Sequence, residues 1–295
     1  MQELKDLSSV IYAGQFENGT IDEVFTVQDG VEEIAENAFR GFDRLKKVIL
    51  PASLRRISAA AFADCSNLCE ITVPFGVSEI LDEAFSACAS LTGIRLPDSV
   101  THLGEGCFEG CASLSSVKLS ESLRSIGAGA FSFCFNLHSI VIPDSCHTVE
   151  FNAFSGCFSL ESVRLSASMQ IVEESLFEGC RSLKDIDLPA GLVRIGRRAF
   201  RGCSSLASLI LPVSLLEIGL DAFAECKGLW RLALPKGVRE LEDNEVFVGC
   251  DRLSEISFGG STEDWELLVG GQALTVPCSD GSVRTPKIIC LDVKK

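Results

Sequence analysis

A chain of 295 residues with 46% hydrophobic and 23% charged residues falls in the ordinary range of folded proteins, and length alone suggests one or two globular domains. Its formal charge of −15 argues against nucleic-acid and anionic-membrane partners, because phosphate binding needs a basic footprint. No window approaches the roughly 18 uninterrupted apolar residues of a membrane helix, so membrane insertion is not expected.

Residues 1–26 are read as an N-terminal cap with a degenerate repeat. Phe16 stands one period before Phe39, but Gly19 and Asp22 occupy positions that are apolar in later repeats. The opening MQELKDLSSVIYAGQF lacks the basic-then-apolar pattern of a secretory signal, so the chain as written is expected in the cytoplasm with reduced thiols. Asn18-Gly19-Thr20 is a glycosylation acceptor that matters only after export.

Residues 27–258 form a repeat array. Phenylalanine recurs every 23 residues from Phe39 through Phe62, Phe85, Phe108, Phe131, Phe154, Phe177 and Phe200 to Phe223, and Phe247 follows after one inserted residue. Cysteine stands three residues after each Phe from Cys65 to Cys250, with Phe42 in that place in the first full repeat. Leucine follows at plus six (Leu45 to Leu253), and apolar columns continue at plus nine (Val48, Ile71, Ile94) and plus eleven (Leu50, Val73, Leu96). The last two alternate as a short strand does. Further apolar residues lie at plus fifteen and plus eighteen, as in Leu54 and Ile57, with Ser53, Gly76 and Ser99 marking turns.

One repeat offers roughly six large apolar side chains, worth on the order of 9–18 kcal/mol if buried. Backbone ordering costs roughly 1–2 kcal/mol for each residue, so a lone repeat cannot fold. Stacking resolves this by burying both faces of each repeat against its neighbours. The expected fold is therefore a repeat solenoid, a leucine-rich-repeat curved rod with one short parallel strand per 23-residue repeat, capped at both ends. Residues 259–295 are read as the C-terminal cap and tail, with a short helix around Trp265, a final strand, and the indole plugging the core.

The segment LASLILPVSLLEIGLDAFAEC (Leu206 to Cys226) resembles the BspA-type leucine-rich repeat of bacterial and protist surface proteins. The resemblance covers about residues 27–258, and the tail FGGSTEDWELL…LTVPCSDG is similar to the closing segment of such arrays. It implies a horseshoe or rod fold and protein or matrix binding, often at the cell surface, and brings no catalytic residue with it. The chain departs from surface members in showing neither an export signal nor an anchor.

Chemistry is sparse. The cysteine column reads as packing, since free cysteine is among the most buried residue types. Cys65 with Cys69, and Cys107 with Cys111, lack the paired pattern of zinc sites, so no metal and no cofactor are expected. His102, His138 and His147 fall in different columns without a fixed partner, and GEGCFEG (Gly104 to Gly110) is not a phosphate loop. The chain is read as a binding scaffold and not an enzyme.

The first candidate site is the outward strand face at plus eight and plus ten, expected to be concave. That face carries five basic and four acidic residues through Glu255 and is spared the acidic excess of the chain. Arg95, Lys118, Val141 and Arg164, with Ser116, Ser139 and Ser162, are expected to hold an acidic protein segment or glycan. The second candidate is the set Phe133, Phe135, Phe151 and Phe158, which lies outside the core columns and suggests a homodimer or partner interface. The alternative function is a structural or self-assembly element that associates through these rings.

Overall fold

The computed structural model describes residues 9–12, 22–241 and 244–291. Phe16 and the Asn18-Gly19-Thr20 acceptor lie outside the described residues. The chain groups into two compact units, Met1–Phe158 and Ser159–Lys295.

The first unit is a solenoid of parallel strands. The first strands of its repeats are Val24–Thr26, Lys47–Ile49, Glu70–Ile71, Gly93–Arg95, Ser116–Lys118 and Ser139–Val141, three residues each except Glu70–Ile71 with two. The register is set by the period: Val24 pairs with Lys47, Val48 with Ile71, and Ile94 with Val117. Alternation sends Val48, Ile71 and Ile94 into the core and leaves Ile49, Thr72 and Arg95 exposed.

Each repeat also carries a second strand of two residues, beyond the one expected from the alternation. Val10–Ile11, Glu33–Ile34, Arg56–Ile57, Glu79–Ile80, His102–Leu103, Ser125–Ile126 and Thr148–Val149 build one seven-stranded parallel sheet. Val10 pairs with Glu33, so the frame reaches into the first 26 residues, which were read as a cap with a degenerate repeat.

The third side of each turn is a ridge around the Phe column. Residues two before and two after each Phe adopt left-handed backbone, as at Asn37 and Gly41 or Gly106 and Gly110. This alternation aims successive N–H groups at the next repeat. Asn37, Phe39 and Gly41 donate to the carbonyls of Ala59, Ala61 and Ala63 at 2.8–3.0 Å. The ridge thus satisfies its backbone without being a strand. Inside it, Phe39, Phe62, Phe85, Phe108, Phe131 and Phe154 stack in file, with centroids 5.0–5.5 Å apart and rings within 8° of parallel.

The second unit repeats the plan. Ser162–Arg164 pairs with Asp185–Asp187, and Ser208–Ile210, Arg231–Leu234 and Glu255–Phe258 form a further ladder. The residue inserted before Phe247 is absorbed as a register of 24, Leu232 against Ile256, around the turn Asn244–Phe247.

The closing segment carries the short helix around Trp265 and three short strands. Ser261 caps the helix Thr262–Leu268 in a reciprocal box with Asp264, and Trp265 is buried edge-on against Phe258 at 5.4 Å. Val276–Pro277 and Val283–Arg284 form an antiparallel pair. Lys287–Cys290 then returns to pair in parallel with Glu255–Phe258, adding a rung that the sequence period does not announce.

Candidate functional site

The cysteine column is a structural ladder. In the first unit the thiols of Cys65, Cys88, Cys111, Cys134 and Cys157 donate to the carbonyls of Phe39, Phe62, Phe85, Phe108 and Phe131 in the preceding repeat, at 3.0–3.3 Å. In the second unit Cys203, Cys226 and Cys250 do the same to Phe177, Phe200 and Phe223. Burial pushes the thiols of Cys65, Cys111, Cys157 and Cys250 up to about 12. A thiol held protonated is neither a nucleophile nor a metal ligand. Among the described residues no group of three or more His, Cys, Asp or Glu is placed to hold a metal ion. His102, His138 and His147 are all exposed, and the Nδ1 of His102 lies 2.8 Å from the Thr101 hydroxyl.

The outward strand face does expose the residues expected of it. Two of its basic residues are neutralised across the ladder: Lys47 meets Glu70, and Arg231 meets Glu255 at 3.0 Å. Arg164, on the second unit, stands in register with Asp187. Ser162 is its exposed neighbour on the same strand.

Arg95 and Lys118 differ. They are in direct register on adjacent strands of the first unit, both exposed, and neither has an ion-pair partner among the described residues. Like charges opposite one another cost stability on a ladder, so this pair is held against its own repulsion. Around it lie exposed Ser116 and Ser139, and Val141 at 58% exposure. Gly93, in register with Ser116, keeps the surface low: a Cβ there would come 2.8 Å from the Ser116 hydroxyl.

The four phenylalanines divide. Phe133 meets Phe135 edge-on at 6.2 Å, and Phe135 stacks on Phe158 at 5.0 Å, so these three form one exposed cluster. Phe151 stands apart, 51% exposed, and lines with Phe133 a groove of about 360 Å³. Glu105, Glu109, Ala128, Gly129, Ser132, Asn152 and Ser155 complete its lining. The sequence reading took the four rings as one interface and did not single out this groove.

Among the described residues no helix is long and apolar enough to cross a membrane. A family model described as BspA type leucine-rich repeat region matches in 6 copies, over residues 9–111, 32–161 and 147–266. No curated protein matches the chain. A leucine-rich repeat protein from Bacteroides ovatus is 24% identical over 91% of this chain and 84% of that one, with a TM-score of 0.53, and shares the fold. A leucine-rich cell surface protein from Faecalibacterium prausnitzii is 26% identical, covering 85% and 83%, with a TM-score of 0.44. A leucine-rich repeat protein of T. pallidum is 32% identical, covering 63% of this chain and 78% of that one, with a TM-score of 0.47. The repeat columns and the family match, which spans most of the sequence, show that this chain belongs to the BspA-type leucine-rich repeat family.

Proposed function

We propose that the protein is a non-enzymatic binding scaffold whose strand face in the first unit, at Arg95, Lys118, Ser116, Ser139 and Val141, receives an acidic segment of a protein partner. The observation that carries this reading is the pair Arg95 and Lys118, side by side, exposed and without a carboxylate partner on a chain of charge −15. A bound carboxylate would relieve their mutual repulsion, so part of the binding free energy comes from a cost already present in the free protein. The serines supply hydroxyl donors at the edge, and Val141 supplies an apolar contact. Family membership supports a scaffold role, since leucine-rich repeats present extended surfaces for recognition.

The test is the affinity of a glutamate-rich peptide for the wild type and for an Arg95→Glu, Lys118→Glu variant with an unchanged circular-dichroism spectrum. The wild type is expected to bind with an affinity that falls as salt rises, and the variant to lose binding. Equal binding by both would refute the assignment.

A second reading, self-association, is favoured by the exposed Phe135–Phe158 stack. If it operates, a Phe135→Ser, Phe158→Ser variant becomes monomeric in light scattering where the wild type is dimeric. A monomeric wild type removes the reading.

A further inference from the structure

The groove between Phe133 and Phe151 is built by three consecutive repeats of the first unit. Ala128, Gly129 and Ser132 give it a floor of small residues, and the preceding repeat places Glu105 and Glu109 at one edge. Glu83 approaches the same edge. Gly106 lies between it and Glu109, since a Cβ on Gly106 would come 3.2 Å from a Glu109 carboxylate oxygen and 3.7 Å from the Glu83 side chain. The following repeat raises Phe151 and Asn152 at the far edge.

Phe133 is held there by its backbone. It adopts φ 59° at the ridge position that is glycine in six repeats, from Gly41 to Gly249, and Asp64, Ala87 or Glu225 in three others, so it is the one aromatic ring carried there among the described residues. A bulky residue in left-handed backbone is uncommon and points to a role for the side chain. The ring lies over Gly156, where an added Cβ would come within 2.6 Å of it, so the next repeat leaves room for this orientation.

Several ridge carboxylates have cations: Asp64 with Arg40 at 3.2 Å, Asp221 with Arg198 at 3.4 Å, and Glu225 with Arg201 at 2.7 Å. Among the described residues no cation pairs with Glu83, Glu105 or Glu109. Two exposed aromatic faces beside unpaired carboxylates is the arrangement that attracts an organic cation, through the ring quadrupole and direct charge.

We propose that this groove binds a basic side chain, arginine or lysine, presented by a segment of a partner protein, with Phe133 and Phe151 against the alkyl stem and cation and Glu105 and Glu109 pairing its charge. Burial, then Glu83, then Glu105 raise the Glu109 carboxyl above its ordinary range, and an incoming cation would oppose the repulsion from the two neighbouring carboxylates. The site lies apart from Arg95 and Lys118 and takes the opposite charge, so its failure leaves the strand-face reading standing.

The probe is a short Gly/Ser peptide carrying one arginine, with its citrulline counterpart as the neutral control. It is titrated into the full chain while ring resonances of labelled phenylalanine are followed. The arginine peptide is expected to shift Phe133 and Phe151 saturably, and the citrulline peptide is not. Glu105→Gln with Glu109→Gln should weaken binding about tenfold, equivalent to ~1.4 kcal/mol.

Phe133→Gly and Phe151→Ala should weaken it too. Both install residues that the same columns already carry in other repeats, as at Gly110 and Ala59, so folding is retained. No saturable shift at millimolar peptide, equal binding of citrulline, or indifference to all of these variants would each overturn the proposal. So would a wild-type dimer dissolved by the same variants, which would put a second copy of the chain in the groove.

Discussion

Replacing Phe108 by alanine removes a fully buried ring held between Phe85 and Phe131, each 5.3 Å away and nearly parallel. A core Phe→Ala change costs about 3–5 kcal/mol, depending on how far the site collapses. Collapse is restricted here, because Phe85 and Phe108 donate to the carbonyls of Cys107 and Ala130 at 2.8 Å and the repeat spacing is fixed by these bonds. Two ring partners are lost at ~0.5–1.5 kcal/mol each beyond area. The upper part of the range, about 4–5 kcal/mol, is therefore expected. Phe135→Ala, on a ring 38% exposed, should cost no more than about 1.5 kcal/mol. Urea titrations followed by circular dichroism measure both. A Phe108→Ala cost below about 1.5 kcal/mol, or one equal to that of Phe135→Ala, would refute the view that the phenylalanine file is the axis of the fold.

Three further outcomes are expected. Iodoacetamide at neutral pH should modify exposed Cys69 first, while the buried thiols of Cys88, Cys111 and Cys134 react only after denaturation; mass mapping that finds a column thiol as reactive as Cys69 contradicts the ladder. The Lys236 ammonium, 2.7 Å away, and Ser261 hold the Asp264 carboxyl down to about 2. Its contribution to the capped helix is present above the unfolded value near 4 and is lost as pH falls through about 2; an NMR titration midpoint near 4 would remove that contribution. Phe133→Gly should change stability by less than about 1 kcal/mol, because relief of a left-handed bulky residue offsets the lost contact with Phe135. A larger loss in a thermal melt would mean that the ring supports the fold.

The core was legible because its columns recur. Phe, Cys and Leu at fixed offsets locate the stacked rings, the thiol ladder and the longer strand before any coordinates. The two-residue strand was not, since Arg56–Ile57 buries one side chain and shows no alternation to count. The left-handed ridge had a visible signal in the glycines two after Phe in six repeats, from Gly41 to Gly249; Asp64, Ala87, Phe133 and Glu225 take that place in the others, and Phe133 is the aromatic among them.

Other parts of the site could also be read from the columns. Asp187 stands one period after Arg164 in the same column, and the two are in register on adjacent strands. Lys287–Cys290 had no such signal, because its pairing depends on a helix and a hairpin of irregular length between it and Glu255–Phe258.

The most direct measurement of the scaffold role is photo-crosslinking from the strand face. A benzophenone side chain at Val141, 58% exposed beside Lys118, should trap a glutamate-rich peptide, and one at Val213, 87% exposed on the second unit, should not. Adding Arg95→Glu and Lys118→Glu should abolish the Val141 adduct. Equal trapping at both positions, or an adduct indifferent to the charge reversal, would contradict a binding site on this face.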